Sequence, residues 1–350
     1  MASGIQTKNG KAFEYACIAR LNDSLTAFGE VEIEDSPQLN TARELYASVD
    51  EDMREALDKA AMAAVKVISR LEPQLKNAIG NEPLYLSIQP DAAGIKGDVR
   101  DVICLRKQNG WEIGFSCKHN HHAVKHSRLS DTIDFGKEWL DVPCSQDYFN
   151  TVMPLFTELR RLRNESKNAG QPMLWSEIKD KADRYYKPVL RAFMQELRRI
   201  ADSNDRIPER LIHYLLGKND FYKVITDDKN RTTRVEAINI TGTLNKNAGS
   251  EKPIAKIPVL KMPTQFYHID FKAGSDNTVE VVCDEGWQVS MRIHNASSKV
   301  EPSLKFDVQL ISFPSSVFTQ VEPWETEKEK MTRRLSAYAQ KSSNGFDAKG

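Results

Sequence analysis

The stretch Lys96-Gly97-Asp98-Val99-Arg100-Asp101-Val102-Ile103-Cys104-Leu105-Arg106, then Lys107-Gln108-Asn109-Gly110, then Trp111-Glu112-Ile113-Gly114-Phe115-Ser116-Cys117-Lys118 decides how the rest of the chain is read. Two apolar runs flank an Asn-Gly pair, which tolerates the positive φ of a tight hairpin turn. Folded about Gln108 and Asn109, the hairpin sets Arg106 opposite Trp111 and Asp101 opposite Ser116. Side chains alternate along a strand, so Glu112, Gly114, Ser116 and Lys118 share one face and Lys118 emerges beside Asp101. A carboxylate and a lysine so placed suit phosphodiester hydrolysis. The carboxylate holds a divalent cation that lowers the pKa of a bound water, and the ammonium stabilises charge developing on phosphorus.

This order of acid, apolar strand, turn, apolar strand and x-Lys resembles the PD-(D/E)xK nuclease core. Ser116 stands where the common form has its second acid, so a carboxylate must come from elsewhere. The candidates are Glu14 on a first helix, Asp131 and Asp134 downstream, and Asp98 if a bulge at Val99 or Arg100 turns it toward Asp101. Pro90-Asp91 lies too far upstream of the hairpin to face Ser116.

Downstream, no acid follows Glu112 until Asp131, while Lys118, His119, His121, His122, Lys125, His126 and Arg128 crowd the interval with Asn120 among them. Such a basic loop beside a cleavage site suits phosphate positioning. Zinc is the weaker reading, because the histidines keep no regular ligand spacing. The literal His119-Asn120-His121 is no sign of an HNH nuclease, whose three letters are spread over a ββα unit.

The wider chain reads as an α/β (α+β) protein with flanking helices. Helices are expected over Gly10–Phe28 (Phe13, Cys17, Ile18 and Leu21 at helical spacing), Asn40–Leu71, Ser145–Lys167, Ser176–Asp202 and Pro208–Leu216. Leu84–Ile88 is expected as a strand, and short strands should follow from Phe221 to Phe313. The division expected is a nuclease core over 1–217, a β-rich recognition part over 218–325 and a charged, flexible tail over 326–350.

Of the 350 residues, 40% are hydrophobic and 28% charged, as in a soluble globular chain. The 49 basic and 49 acidic residues cancel, so any nucleic-acid interface must come from local charge rather than an overall basic excess. Five scattered cysteines without a CxxC pair argue against structural zinc and a disulfide framework, and fit the cytoplasm. The polar start lacks a signal-peptide profile, and no apolar run approaches the ~20 residues of a membrane span.

The wording of several blocks is more specific than their spacing. Lys96 to Asp101, Lys118 to His121 with Ala123 to Ser130, Asp134-Phe135-Gly136, and Arg292-Ile293-His294-Asn295-Ala296-Ser297-Ser298-Lys299 running on to Lys305-Phe306-Asp307 are similar to the HaeIII family of type II restriction enzymes. The resemblance reaches from the first helix to about Pro314 and implies double-stranded DNA as substrate, Mg2+ as cofactor, and cleavage of GGCC between G and C. It brings with it a second copy of the chain and a cognate DNA methyltransferase as expected partners. The sites expected are then Asp101, Lys118 and Ser116 for catalysis; Asp101, Asp98, Glu14 and Asp131 for metal; and Lys125, His126, Arg128, His119, Asn120, His121, Arg292, His294, Asn295, Lys299 and Lys305 for DNA. Arginine and lysine read guanine O6 and N7, so a GC-only site should lean on Arg292, Lys299 or Lys305. The competing class is a non-catalytic DNA-binding protein on the same scaffold, and a third reading is a structure-specific nuclease. A cleavage assay with and without Mg2+ separates catalysis from mere binding.

Overall fold

The hairpin forms in the register that the sequence expects. Strand β3 (Val102–Arg106) pairs with β4 (Trp111–His119), with Arg106 opposite Trp111 and Val102 opposite Phe115. The turn closes through Gly110 at φ +66°, and Asn109 Oδ1 accepts the Trp111 amide at 2.8 Å. At the other end the Asp101 amide donates to the Phe115 carbonyl at 2.7 Å. The structure, a computed structural model, describes residues 2–77, 81–90, 97–120, 123–295, 297–325 and 331.

The hairpin lies in a seven-stranded sheet of order β1-β2-β3-β4-β6-β7-β12, with β1 (Val31–Ile33), β2 (Leu84–Ile88), β6 (Phe221–Asp227), β7 (Thr232–Ile238) and β12 (Thr319–Pro323). Helices α1 (Ala2–Leu25) and α3 (Glu51–Leu71) cover one face. Phe13, Cys17, Ile18 and Leu21, the helical set expected from sequence, are fully buried there against Phe115, Cys117, Tyr222 and Val224. A second sheet has the order β5-β11-β10-β9-β8, with β5 (Ala123–Leu129), β8 (Phe266–Phe271), β9 (Thr278–Cys283), β10 (Gln288–His294) and β11 (Leu304–Ser312). Phe306, Met291, Ile293 and Val279 from its apolar face join a core with Phe135 of α4 (Phe135–Leu140), Phe156 of α5 (Gln146–Asn168), Phe193 of α6 (Lys187–Asp202) and Leu211 of α7 (Ile207–Leu216).

Several expectations need correction. The single helix over Asn40–Leu71 is two, α2 (Pro37–Ala47) and α3. Ser36 caps α2 and Asp50 caps α3, accepting the Met53 amide at 2.8 Å, so the chain restarts a helix at residue 51. The helix over Ser176–Asp202 is interrupted by Asp180 at φ +54° and a π turn over Ala182–Tyr186 before α6 begins. The basic segment after Lys118 is not a loop: its second half is strand β5, which pairs with β11.

The two sheets interleave along the chain rather than following the break at 217. β6 joins the nuclease sheet by parallel pairing with β4, whereas β5, only a few residues after β4, enters the second sheet. Glu322, shortly before the expected tail, is buried in β12 and ion-pairs with Lys66 at 2.5 Å. Residues 332–350, and with them the expectation of a disordered end, lie outside the described residues. Among the described residues, no helix is long and apolar enough to cross a membrane.

Candidate active site

At the end of the β3–β4 hairpin one oxygen of Asp101 organises the site. Asp101 Oδ2 accepts the Cys117 amide at 2.7 Å and lies 3.3 Å from Lys118 Nζ. The amide fixes the carboxylate against the strand, and the lysine is therefore held beside it. Helix α1 supplies the third charged group. The Sγ atoms of Cys17 and Cys117 meet at 3.7 Å, docking α1 on β4. One turn earlier, Glu14 is buried at the rim of that contact. Burial and the Asp101 charge push its carboxyl up to about 7, against the opposing pull of Lys11 and Lys118. Lys11 Nζ lies 3.1 Å from Glu14 Oε2. Burial also works against the Lys118 ammonium, but Asp101 and Glu14 outweigh it and hold its pKa above the usual lysine value. Lys118 is thus a cation at neutral pH, suited to donate to phosphate oxygens or orient a water rather than to remove a proton.

Of the candidates for the acid absent at 116, Glu14 is the one whose carboxyl feels the Asp101 charge. Asp98 is occupied elsewhere: Arg100 Nε and Nη2 reach its two oxygens at 2.8 and 2.7 Å, Gln89 donates at 2.7 Å, and this network holds its carboxyl low despite burial. Arg100 continues to Glu112 at 2.6 Å and packs over Gly114, where a Cβ would fall 2.3 Å from the Arg100 side chain. Asp131 lies beyond the far end of β5 and pairs with Arg160 through both oxygens at 2.7 Å. Seven residues of extended chain span ~23 Å, so β5 itself carries Asp131 away from Lys118. Asp134 caps α4, accepting the Lys137 and Cys144 amides at 2.9 and 3.0 Å. Asp98 and Asp131 are each paired with an arginine, whereas Glu14 is the acid whose carboxyl feels the Asp101 charge. Asp91, His121 and His122 lie outside the described residues.

Two carboxylates remain as the acidic set. Among the described residues no group of three or more His, Cys, Asp and Glu side chains converges as a metal cage. Mg2+ commonly takes only one or two carboxylates and fills its octahedron with waters and substrate phosphate. The Asp101–Glu14 pair fits that ion, whose positive charge would offset both the burial and the Asp101 repulsion that raise Glu14.

His119 and Asn120 close the strand. His119 Nε2 lies 3.0 Å from Asp228 Oδ2, while Asn120, in the left-handed region at φ +52°, donates to the same carboxylate at 2.7 Å and accepts the Asp228 amide at 3.2 Å. Both side chains hold the chain where it leaves the nuclease sheet. Asparagine suits this corner because its short amide compensates for the left-handed backbone.

The remaining DNA candidates gather on the second sheet. Arg128 of β5, Lys305 of β11 and His294 of β10 are in register across three strands, as are His126, Asp307 and Arg292 in the next row. Arg128 and Arg292 are exposed, and Arg292 Nη2 lies 3.2 Å from Asp307. Lys125 of β5 pairs with the buried Val308 of β11, out of step with the Arg128 and His126 rows. His294 is held below the usual histidine range by burial, with Nδ1 at 3.0 Å from the Asn295 carbonyl. Asn295 Oδ1 accepts the Tyr186 hydroxyl at 2.5 Å, and Lys299 is exposed on the β10–β11 connection, which is bridged to Leu174.

The nuclease hairpin and this basic sheet share residues 10–314 with a family model described as HaeIII restriction endonuclease. The chain belongs to the HaeIII restriction endonuclease family. It is 40% identical over 318 residues to the type II restriction enzyme HaeIII of Haemophilus aegyptius, spanning 91% of this chain and 98% of that relative. No solved structure matches the chain. Family membership makes the protein a site-specific nuclease acting on double-stranded DNA. Sequence reasoning did not reach Lys11 or Asp228. Lys11 stands three residues before Glu14, a spacing that helix geometry makes legible. Asp228 reaches the end of β4 only through the pairing of β4 with β6, about a hundred residues later.

Proposed function

We propose that the chain cuts both strands of double-stranded DNA at the palindrome GGCC, between G and C, with Mg2+ held by Asp101 and Glu14. The observation that carries this reading is the convergence of Asp101, Lys118 and Glu14 at the end of the hairpin. Bound Mg2+ would acidify a coordinated water and neutralise charge on the phosphate. The protein's own part is geometric and electrostatic. The Cys117 amide fixes Asp101, α1 brings Glu14 to the same point, and Lys118 remains protonated to hold phosphate oxygens as negative charge develops.

The polar face of the second sheet is the proposed reading surface. Arg292, Lys305 and Lys299 are the candidates for guanine, while Arg128 and His126 on that face, and Lys125 one position out of step with them, are assigned to the backbone. A palindromic site matches a two-fold symmetric reader, so a second copy of the chain is expected on the DNA. A cognate methyltransferase would protect host sites, and five free cysteines fit a cytoplasmic enzyme. Digestion of a plasmid of known sequence, in Mg2+ and in EDTA, with the ends mapped, tests the reading. Cuts at every GGCC in Mg2+ alone are expected; absence of cleavage, or ends scattered without a common site, would overturn it.

A further inference from the structure

The polar row through the hairpin continues across the sheet. Ser116 is in register with Lys223 of β6, Lys223 with Glu236 of β7, and Glu236 with Thr319 of β12. In-register neighbours point to the same side of a sheet, and this is the side that Ser116 shares with Lys118. It faces away from α1 and α3: Cys117 meets Cys17 of α1, and Thr233 donates to the Ala60 carbonyl of α3, both from the opposite face. Lys118, Ser116 and Lys223 therefore form one contiguous group at the catalytic edge.

Both lysines are largely enclosed, with side-chain exposures of 24% and 10%. Lys118 has Asp101 beside it. Lys223 Nζ lies 4.0 Å from Glu236 Oε2, and the same buried carboxylate is 3.6 Å from Arg234 Nη1. One carboxylate is thus divided between two cations. Burial holds the Lys223 ammonium below the usual lysine value; Glu236 opposes this and the nearby Lys118 charge adds to it. Such a group gains from an added negative charge. An acid at position 116 would sit next to Lys223 and supply that charge from within. Serine supplies none, but its hydroxyl can still donate a hydrogen bond.

We infer that Lys223 is a further substrate-contacting residue, holding the non-bridging oxygens of the scissile phosphate together with Ser116 and Lys118. The inference rests on the endonuclease reading above, and it gives Ser116 a role: it leaves the position without a competing carboxylate beside substrate phosphate.

The test compares wild type with Lys223→Met in two measurements. In single-turnover cleavage of a GGCC duplex with Mg2+, the variant should be slower by about tenfold or more, the range of a lost contact to a charged group. In EDTA, its affinity for the all-phosphate duplex should fall by a similar factor, and the loss should vanish when the central phosphate is replaced by a neutral methylphosphonate. A merely structural defect would weaken binding to both duplexes alike. Equal losses on the two duplexes, no loss on either, or a loss abolished only by neutralising a neighbouring phosphate would each overturn the assignment. Should Lys223→Met not fold, Lys223→Met/Glu236→Gln removes both buried charges and is read by the same comparison. The binding arm requires no cleavage, so a wild-type protein that cuts nothing counts against the endonuclease reading alone.

Discussion

Glu14→Gln should make the protein inactive and, without metal, more stable at neutral pH. Glu14 has 7% of its side chain exposed and its carboxyl is raised from 4.5 to about 7. At about 1.4 kcal/mol per pH unit, this corresponds to about 3 kcal/mol in favour of the neutral form. The folded-state value lies above the unfolded one, so the stabilising contribution is complete below pH 4.5 and is lost as pH rises through about 7. Glutamine never ionises and escapes that loss. Relative to wild type, Glu14→Gln should therefore be nearly neutral at pH 4.5 and stabilising at pH 7.5, by at most about 3 kcal/mol. Loss of the 3.1 Å contact with Lys11 subtracts from that ceiling. Glu72, also raised to about 7 by burial, titrates in both proteins and cancels in the comparison. Urea unfolding in EDTA at the two pH values reads stability, and single-turnover cleavage in Mg2+ reads function. Cleavage should fall at least a hundredfold, the order expected when an interaction made chiefly in the transition state is removed. Equal destabilisation at both pH values, or near wild-type cleavage, would refute the placement of Glu14 beside Asp101.

Asp101→Asn and Lys118→Ala should each abolish cleavage while leaving affinity for the duplex in EDTA within a few fold; near wild-type turnover in either would unseat the site. Arg292→Ala or Lys305→Ala should relax discrimination between GGCC and single-mismatch duplexes by about 1–3 kcal/mol at one position. Arg128→Ala should instead weaken all duplexes alike and reduce the slope of log affinity against log salt by about one. Reversed outcomes for these two sets would make β5 the reader. Gly114→Ala should lower stability by about 1–3 kcal/mol, since the added methyl overlaps the Arg100 side chain, and a melting curve unchanged from wild type would contradict that packing.

The hairpin was legible because its information is local. An Asn-Gly turn and two alternating runs set the register that opposes Asp101 and Ser116, and α1 announced its buried face through Phe13, Cys17, Ile18 and Leu21 at helical spacing. The family, too, could be read from the wording of short blocks spread over most of the chain. Choosing among Glu14, Asp98, Asp131 and Asp134 was beyond the sequence, since all four are acids near the hairpin in number or by helix docking. Only the fold reveals which acids are taken by Arg100, Arg160 or a helix cap, and that Glu14, one turn from the Cys17–Cys117 contact, is the one that feels the Asp101 charge. The run after Lys118 was misread as a loop for a related reason. A strand is stabilised by its partner, and the partner of β5 is β11, nearly two hundred residues later. The same holds for Lys223, which comes beside Ser116 through parallel pairing across an intervening lobe of about a hundred residues. Local periodicity determined the catalytic hairpin and its first helix; long-range strand pairing and competition among neighbouring charges determined which side chains share the site.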